Sequence, residues 1–254
     1  MAIGKVSSGE AAGLSVVLGV DLAAQPENTG LAILSRVDGV WRASVPDAEP
    51  TDQRIVELAI GADVVGIDAP LGWPQPFVDA LVGHSERLRW PLDVDRHNLL
   101  YRDTDRHVRE VTDRRPLSVV GDLLAYVGIR AARLQTLLAD AWGGPPEPRD
   151  GSGRIVETYP AGALKVWGLP SRGYAGGGVA AREVRTSILA GLVERFSGVV
   201  DLDGVASYVA ASDHILDGVV SAIVALLAKH GATIPPIDAD SALVEGWIHL
   251  PAAR

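Results

Sequence analysis

"SVVLGVDLAAQPENTGLAILSRVDGVWRASVPD", residues 15–47, is the stretch on which the fold turns. Its first seven residues are an apolar, β-branched run that stops at Asp21, the pattern of a buried strand. "QPENTG" gathers Pro, Asn and Gly into turn chemistry. "LAILSRV" and "WRASVPD" follow as two more strands. They meet at Asp38-Gly39, a dipeptide suited to the tight two-residue turn of a hairpin. The three strands are therefore expected to be antiparallel.

Downstream, "TDQRIVELAIG" (51–61) places Ile55, Val56, Leu58, Ala59 and Ile60 at helical spacing, with Thr51 as cap and Gly61 as stop. "DVVGIDAP" (63–70) is a short strand ending in Asp68 and Pro70, expected to join by a crossover. Residues 70–100, rich in Pro, Trp and Arg, are expected to be irregular, part of an insertion over about 70–115. Helices are expected over 103–112 and 118–142, with "GGPPEPRDGSG" (143–153) as a flexible connector. "RIVETYP" is a fifth strand, and "AGALKVWG" a short helix. The glycine loop "YAGGG" leads into a helix at 179–196, and "EGWIHL" (245–250) suggests a last strand.

The final long helix is "ASDHILDGVVSAIVALLA" (211–228), with Ser212 as N-cap and an apolar face of Ile215, Leu216, Val219, Val220, Ile223, Leu226 and Leu227. This order predicts an α/β protein with a mixed five-stranded sheet and helices on both faces. It is the element order of the ribonuclease H-like fold. Residues 1–14 read as a flexible tail and 15–254 as one domain.

Composition narrows the function. The 254 residues, 47% hydrophobic, can bury a sizeable core. The absence of cysteine removes disulfides, thiolate metal sites and cysteine nucleophiles. No signal peptide or membrane span is evident, so the expectation is a cytoplasmic protein with no membrane partner. A net charge of −9 disfavours non-specific coating of nucleic acid. Residues 84–115 hold eight arginines interleaved with seven acids, as expected of a salt-bridged surface or, less simply, a phosphate-facing patch.

The acids carry the chemistry. Asp21 and Asp68 end strands, where α/β proteins bind ligands; each also has a plain role in the turn that follows it. Asp213 suits a first helical turn. Asp217 is harder to place, because it lies among apolar residues four positions from a like charge. Such a pair repels by roughly 0.2–0.5 kcal/mol, and by more where water is scarce. If the helix crosses the sheet near the ends of those strands, all four carboxylates converge, and a bound divalent cation would offset their repulsion. Oxygen-only ligands suit Mg2+ or Mn2+. Glu157, on the fifth strand, could complete the cluster or face solvent. His214 flanks the acid pair as a candidate proton shuttle, with His107 a more distant one.

The motifs "GVDLAAQPENTGLAIL", "VVGIDAPLGWP", "YRDTDRHVRE", "IVETYPAGALKVWGL", "SDHILDGVVSAIVA" and "EGWIHLP", spanning about residues 15–252, resemble the predicted ribonuclease H-like nucleases. That is a domain-of-unknown-function family related in fold to Holliday-junction resolvases. The resemblance implies a metal-dependent phosphodiesterase site. Asp21, Asp68, Asp213 and Asp217 map as metal-binding and catalytic acids, with Glu157 as a further candidate. Arg102, Asp105 and Lys165 map as polar, substrate-binding positions; the role of Glu245 is open.

The leading expectation is a nuclease or related phosphodiesterase using two divalent cations on a nucleic acid or nucleotide substrate. The alternatives are an ATP-dependent kinase or phosphohydrolase of the actin and sugar-kinase type, or a non-catalytic binding module. Trp73 and Trp90, beside Arg87 and Arg89, could stack bases or pin the insertion to the core. "GYAGGGVAARE" could bind phosphate at a helix start or form a mobile loop.

Overall fold

The computed structural model describes residues 15–252 apart from Ala48, so the tail expected over 1–14 lies outside the described residues. The strands are β1 (Val16–Asp21), β2 (Gly30–Val37), β3 (Val40–Ser44), β4 (Val64–Asp68), β5 (Ile155–Thr158), β6 (Val200–Asp201) and β7 (Ile248–His249). The helices are α1 (Asp52–Ile60), α2 (Gln75–Ser85), α3 (Arg96–Leu100), α4 (Asp103–Thr112), α5 (Asp122–Trp142), α6 (Pro160–Val166), α7 (Val179–Arg195), α8 (Ala206–Ala211), α9 (Asp213–Lys229) and α10 (Ala239–Glu245).

All seven strands form one mixed sheet in the order β6-β3-β2-β1-β4-β5-β7. The β1–β2 and β2–β3 pairs are antiparallel and the others parallel. The hairpin turn falls at Asp38 and Gly39, with φ of 51° and 83°. Both are left-handed, as the primed turns that match strand twist require. The sheet is thus wider than the expected five strands. β6 and β7 add two residues at each edge, too few to leave a period in the sequence.

Alternation along the strands assigns the two faces. Val17, Val64 and Val156 pack on α9 and on Leu164, Ile188 and Leu192 of α6 and α7. Leu18, Val65 and Ile155 pack on Ile55 and Ala59 of α1 and on Leu134 and Leu138 of α5. Thr51 caps α1 by accepting from the Arg54 amide at 3.2 Å, and Ser212 caps α9 from the Ile215 amide.

α9 is buried all round from Gly218 to Leu226, a wider burial than one apolar face. Each fully buried Leu, Ile or Val there stabilises the fold by roughly 1.5–3 kcal/mol. The helix lies across β1, β2 and β4 at very short range. A Cβ on Gly19 would strike the Gly218 carbonyl oxygen, and one on Gly30 the His214 carbonyl. These two glycines let the helix backbone reach the strands, and that approach positions the site.

Two expectations are corrected. The stretch 70–100 is not irregular throughout, since it holds α2 and α3. Only Ala80 of α2 and Leu99 of α3 are buried, so neither helix shows a clear apolar period, although Pro76 favours a helix start. The connector 143–153 is held in place rather than flexible. Lys229 Nζ donates to the carbonyls of Gly151, Ser152 and Gly153, and Glu147 accepts from the Arg154 amide at 2.8 Å. Among the described residues no helix is long and apolar enough to cross a membrane.

Candidate functional site: an aspartate crevice under the last long helix

β1 and β4 are parallel neighbours in a register that sets Asp21 beside Asp68. Gly19 and Gly66 precede them by two, and both face α9, so alternation turns the two carboxylates toward that helix. Asp213 and Asp217 lie in the first turns of α9. Burial pushes the pKa of Asp68 well above the carboxylate range, and the charges of Asp21 and Asp217 push it further. Asp217 is raised in the same way, by burial and then by Asp21, against the opposing hydrogen bond of Tyr174. Asp21 is also raised by burial. All three remain partly accessible, as groups must be when protein surrounds them on most sides and solvent meets them on one.

Three neighbours complete the crevice. His214 Nδ1 lies 2.8 Å from Asp21 Oδ2, and that hydrogen bond raises its pKa despite partial burial. The Tyr174 hydroxyl donates to Asp217 at 3.1 Å to Oδ1 and 3.4 Å to Oδ2. The Gly176 amide donates to Asp213 Oδ2 at 3.2 Å. Tyr174 was not among the residues singled out from the sequence. Its signal there is faint, a lone aromatic in the glycine-rich "SRGYAGGG". The loop is accordingly anchored at its tyrosine.

Glu157 does not join this cluster, nor does it face solvent. It shares strand parity with Ile155, which faces α1 and α5, so its side chain leaves the sheet on the far side from Asp68. There Arg102 binds it through Nη1 and Nη2 at 2.9 and 2.7 Å, and the Leu71 amide donates to Oε2 at 3.0 Å. Arg102 also grips Asp105 through Nε and Nη2 and donates to the Glu245 carbonyl. Burial opposes the Arg102 charge, but Asp105 and Glu157 together push its pKa up.

Arg102 and Asp105, expected to meet substrate, are each 2% exposed and fully engaged within the protein. Glu245 accepts from the amides of Gln75 and Asp103 at 2.7 and 2.9 Å, holding the starts of α2 and α4. Lys165 is exposed on α6. His107 stacks on Trp247, with ring centroids 5.0 Å apart. Trp73 lies against α5 beside Gly128, while Trp90 is exposed and meets His84 edge-on.

The donor set in the crevice is carboxylate oxygen with one imidazole, and it carries uncompensated repulsion. Both features suit a hard divalent cation. Among the described residues no three Asp, Glu or His side chains already surround one point. The match is therefore one of donor chemistry and charge, and ligation requires the side chains to turn inward together.

No curated protein and no solved structure matches the chain. A family model does match, over residues 19–241, a span that holds the last three residues of β1, all of α9 and every residue of the crevice. The chain belongs to that family, described as protein of unknown function (DUF429).

Proposed function

We propose that this chain is a divalent-cation-dependent phosphodiesterase, with a nucleic acid or nucleotide as substrate, built on a ribonuclease H-like scaffold. The observation that carries the reading is the convergence of Asp21, Asp68 and Asp217 on one side of the sheet, each with its pKa raised by burial. A fold keeps such repulsion where function uses it. The five central strands, β3-β2-β1-β4-β5 with the first three antiparallel, agree with the scaffold.

Asp21, Asp68, Asp213 and Asp217 would hold Mg2+ or Mn2+. Such an ion neutralises phosphate charge and lowers the pKa of water. The chain's own part is to orient and to move protons. Asp21 Oδ2 fixes His214 Nδ1, which leaves Nε2 free to take a proton from water or return one to a leaving oxygen. The Gly176 amide orients Asp213.

The test is calorimetric titration of Mn2+ into the wild-type protein and Asp21→Asn. A cleavage panel of single-stranded, duplex and branched DNA and RNA, with and without the cation, accompanies it. Expected are binding and cation-dependent cleavage by the wild type, with both weakened in the variant. A wild type that takes up no cation at millimolar concentration and cuts nothing sinks the proposal.

A further inference from the structure

The insertion holds a cavity that the crevice does not use. α2 and the segment that follows it, residues 88–94, enclose an open space of about 400 Å³. Its walls are largely apolar, with Gly83 on α2 and Leu88, Pro91 and Val94 beyond it. Two charged side chains of opposite sign, Asp79 and Arg89, also line it. A cavity of ~150 Å³ lined by aliphatic and aromatic side chains holds a benzene ring, so this one has room for an aliphatic side chain and its neighbours.

The residues that adjoin those walls in the chain are apolar and exposed. Val82, Trp90 and Leu92 each stand beside a lining residue. Leu92, at 88%, is the most exposed large apolar side chain among the described residues. With Leu88 they present on the order of 400 Å² of apolar surface, the scale at which a patch marks an interaction site. A single exposed leucine is ordinary, but a leucine standing beside an apolar hole is a knob next to its socket.

Knob and socket on one short segment are self-complementary. A two-fold axis between them seats Leu92 of each copy in the cavity of the other, the isologous arrangement in which one patch meets itself. The charges agree with that symmetry. Asp79 accepts from Gln75 Nε2 at 2.7 Å, and Arg89 makes no hydrogen bond or ion pair among the described residues. Turned about the axis, each rim offers its cation to the anion of the other.

We infer that the insertion is a self-association surface, through which two copies of this chain pair with Leu92 of each seated in the α2 cavity of the other. Patches and cavity walls of both copies together remove on the order of 1,000 Å² from water, the lower limit for a specific interface. The dimer is therefore reversible, with a dissociation constant on the order of micromolar. It stands or falls separately from the cation reading.

Sedimentation equilibrium of the full chain across the micromolar range tests this. Expected for the wild type is a concentration-dependent equilibrium of monomer and dimer. Leu92→Asp places a charge at an already exposed position, which spares the fold, and should weaken the dimer by about tenfold or more. Gly83→Leu fills the socket and should weaken it to a similar degree. A Cβ at Gly83 meets only Leu88, at 3.8 Å, and leucine favours a helix over glycine. Leu123→Asp, on the exposed face of α5, should dimerise as the wild type does. A wild type that stays monomeric, or a dimer untouched by Leu92→Asp, overturns the inference. A dimer broken by Leu123→Asp alone also overturns it and assigns the interface to α5. So does a monomeric wild type that takes up an apolar fluorescent dye and loses that signal in Gly83→Leu, since the cavity then serves a small ligand. Should either Leu92→Asp or Gly83→Leu fold poorly by circular dichroism, the other decides.

Discussion

Two sets of acids lie on opposite sides of the sheet, one buried and one half-buried, and the protein answers their charge differently. Around Arg102, the carboxylates of Asp105 and Glu157 receive a guanidinium and main-chain amides at 2.7–3.2 Å. Around Asp68, three carboxylates meet one imidazole and one phenol but no guanidinium; burial raises their pKa values, as it does that of Glu157 against the opposing charge of Arg102. The first set holds the insertion, α10 and β5 together. The second set has His214 beside Asp21 as its one cationic neighbour among the described residues. Burial of an acid is thus no guide to function by itself; the discriminating feature is whether the protein supplies its counter-charge.

The largest effect is expected on the satisfied side. Arg102→Met leaves Asp105 and Glu157 buried without their partner, which should destabilise the protein by about 3–5 kcal/mol in denaturant unfolding. A variant as stable as the wild type would show that the network is dispensable, and the contrast between the two sets would collapse.

An intermediate effect of opposite sign is expected on the unsatisfied side. A carboxyl whose folded pKa is raised contributes stability that is present below its ordinary value, 3.8 for Asp217. That contribution is lost as pH rises through the raised value. Without cation, the wild type should therefore lose stability from about pH 4 upward on account of this cluster. Asp217→Asn lacks the titrating group. Its melting temperature should match the wild type in acid and exceed it by a few degrees near pH 8, since one pKa unit is worth about 1.4 kcal/mol and about 1 kcal/mol moves a domain of this size by about 2–4 °C. A gap that stays flat with pH, or a variant less stable at every pH, would mean that Asp217 has a structural partner instead.

The smallest effect belongs to an acid in neither set. Asp203 is exposed in the 3₁₀ turn before α8, and Asp203→Asn should change stability by less than about 0.5 kcal/mol and leave Mn2+ binding unaltered. A larger shift would show that general charge, rather than the crevice, governs the two effects above.

Much of this was legible in the sequence because it depends on neighbours along the chain. Strand period, the Asp38-Gly39 turn, the Thr51 and Ser212 caps and the spacing of Asp213 and Asp217 are local facts, and the structure carries each of them. The strand-end position of Asp21 and Asp68 belongs here as well, since an acid closing an apolar run is visible without any partner. The family to which the chain belongs was equally open to a reading of its motifs.

Only the tertiary structure decided which acids meet. Glu157 and Asp68 both belong to short apolar strands, yet the register of β4 on β5, Ile67 against Glu157, sends the two side chains to opposite faces. A shift of one residue would have reversed the outcome, and nothing within "RIVETYP" specifies that register. The link of Arg102 to Glu157 spans 55 positions, that of Tyr174 to Asp217 spans 43, and that of His214 to Asp21 spans 193. The edge strands β6 and β7 exist only because a neighbour supplies their hydrogen bonds. Local sequence thus determined where charges and turns stand along the chain. Which charge is answered and which is left unanswered followed from α9 packing against glycines of β1 and β2, because a charge is compensated by what lies across space from it.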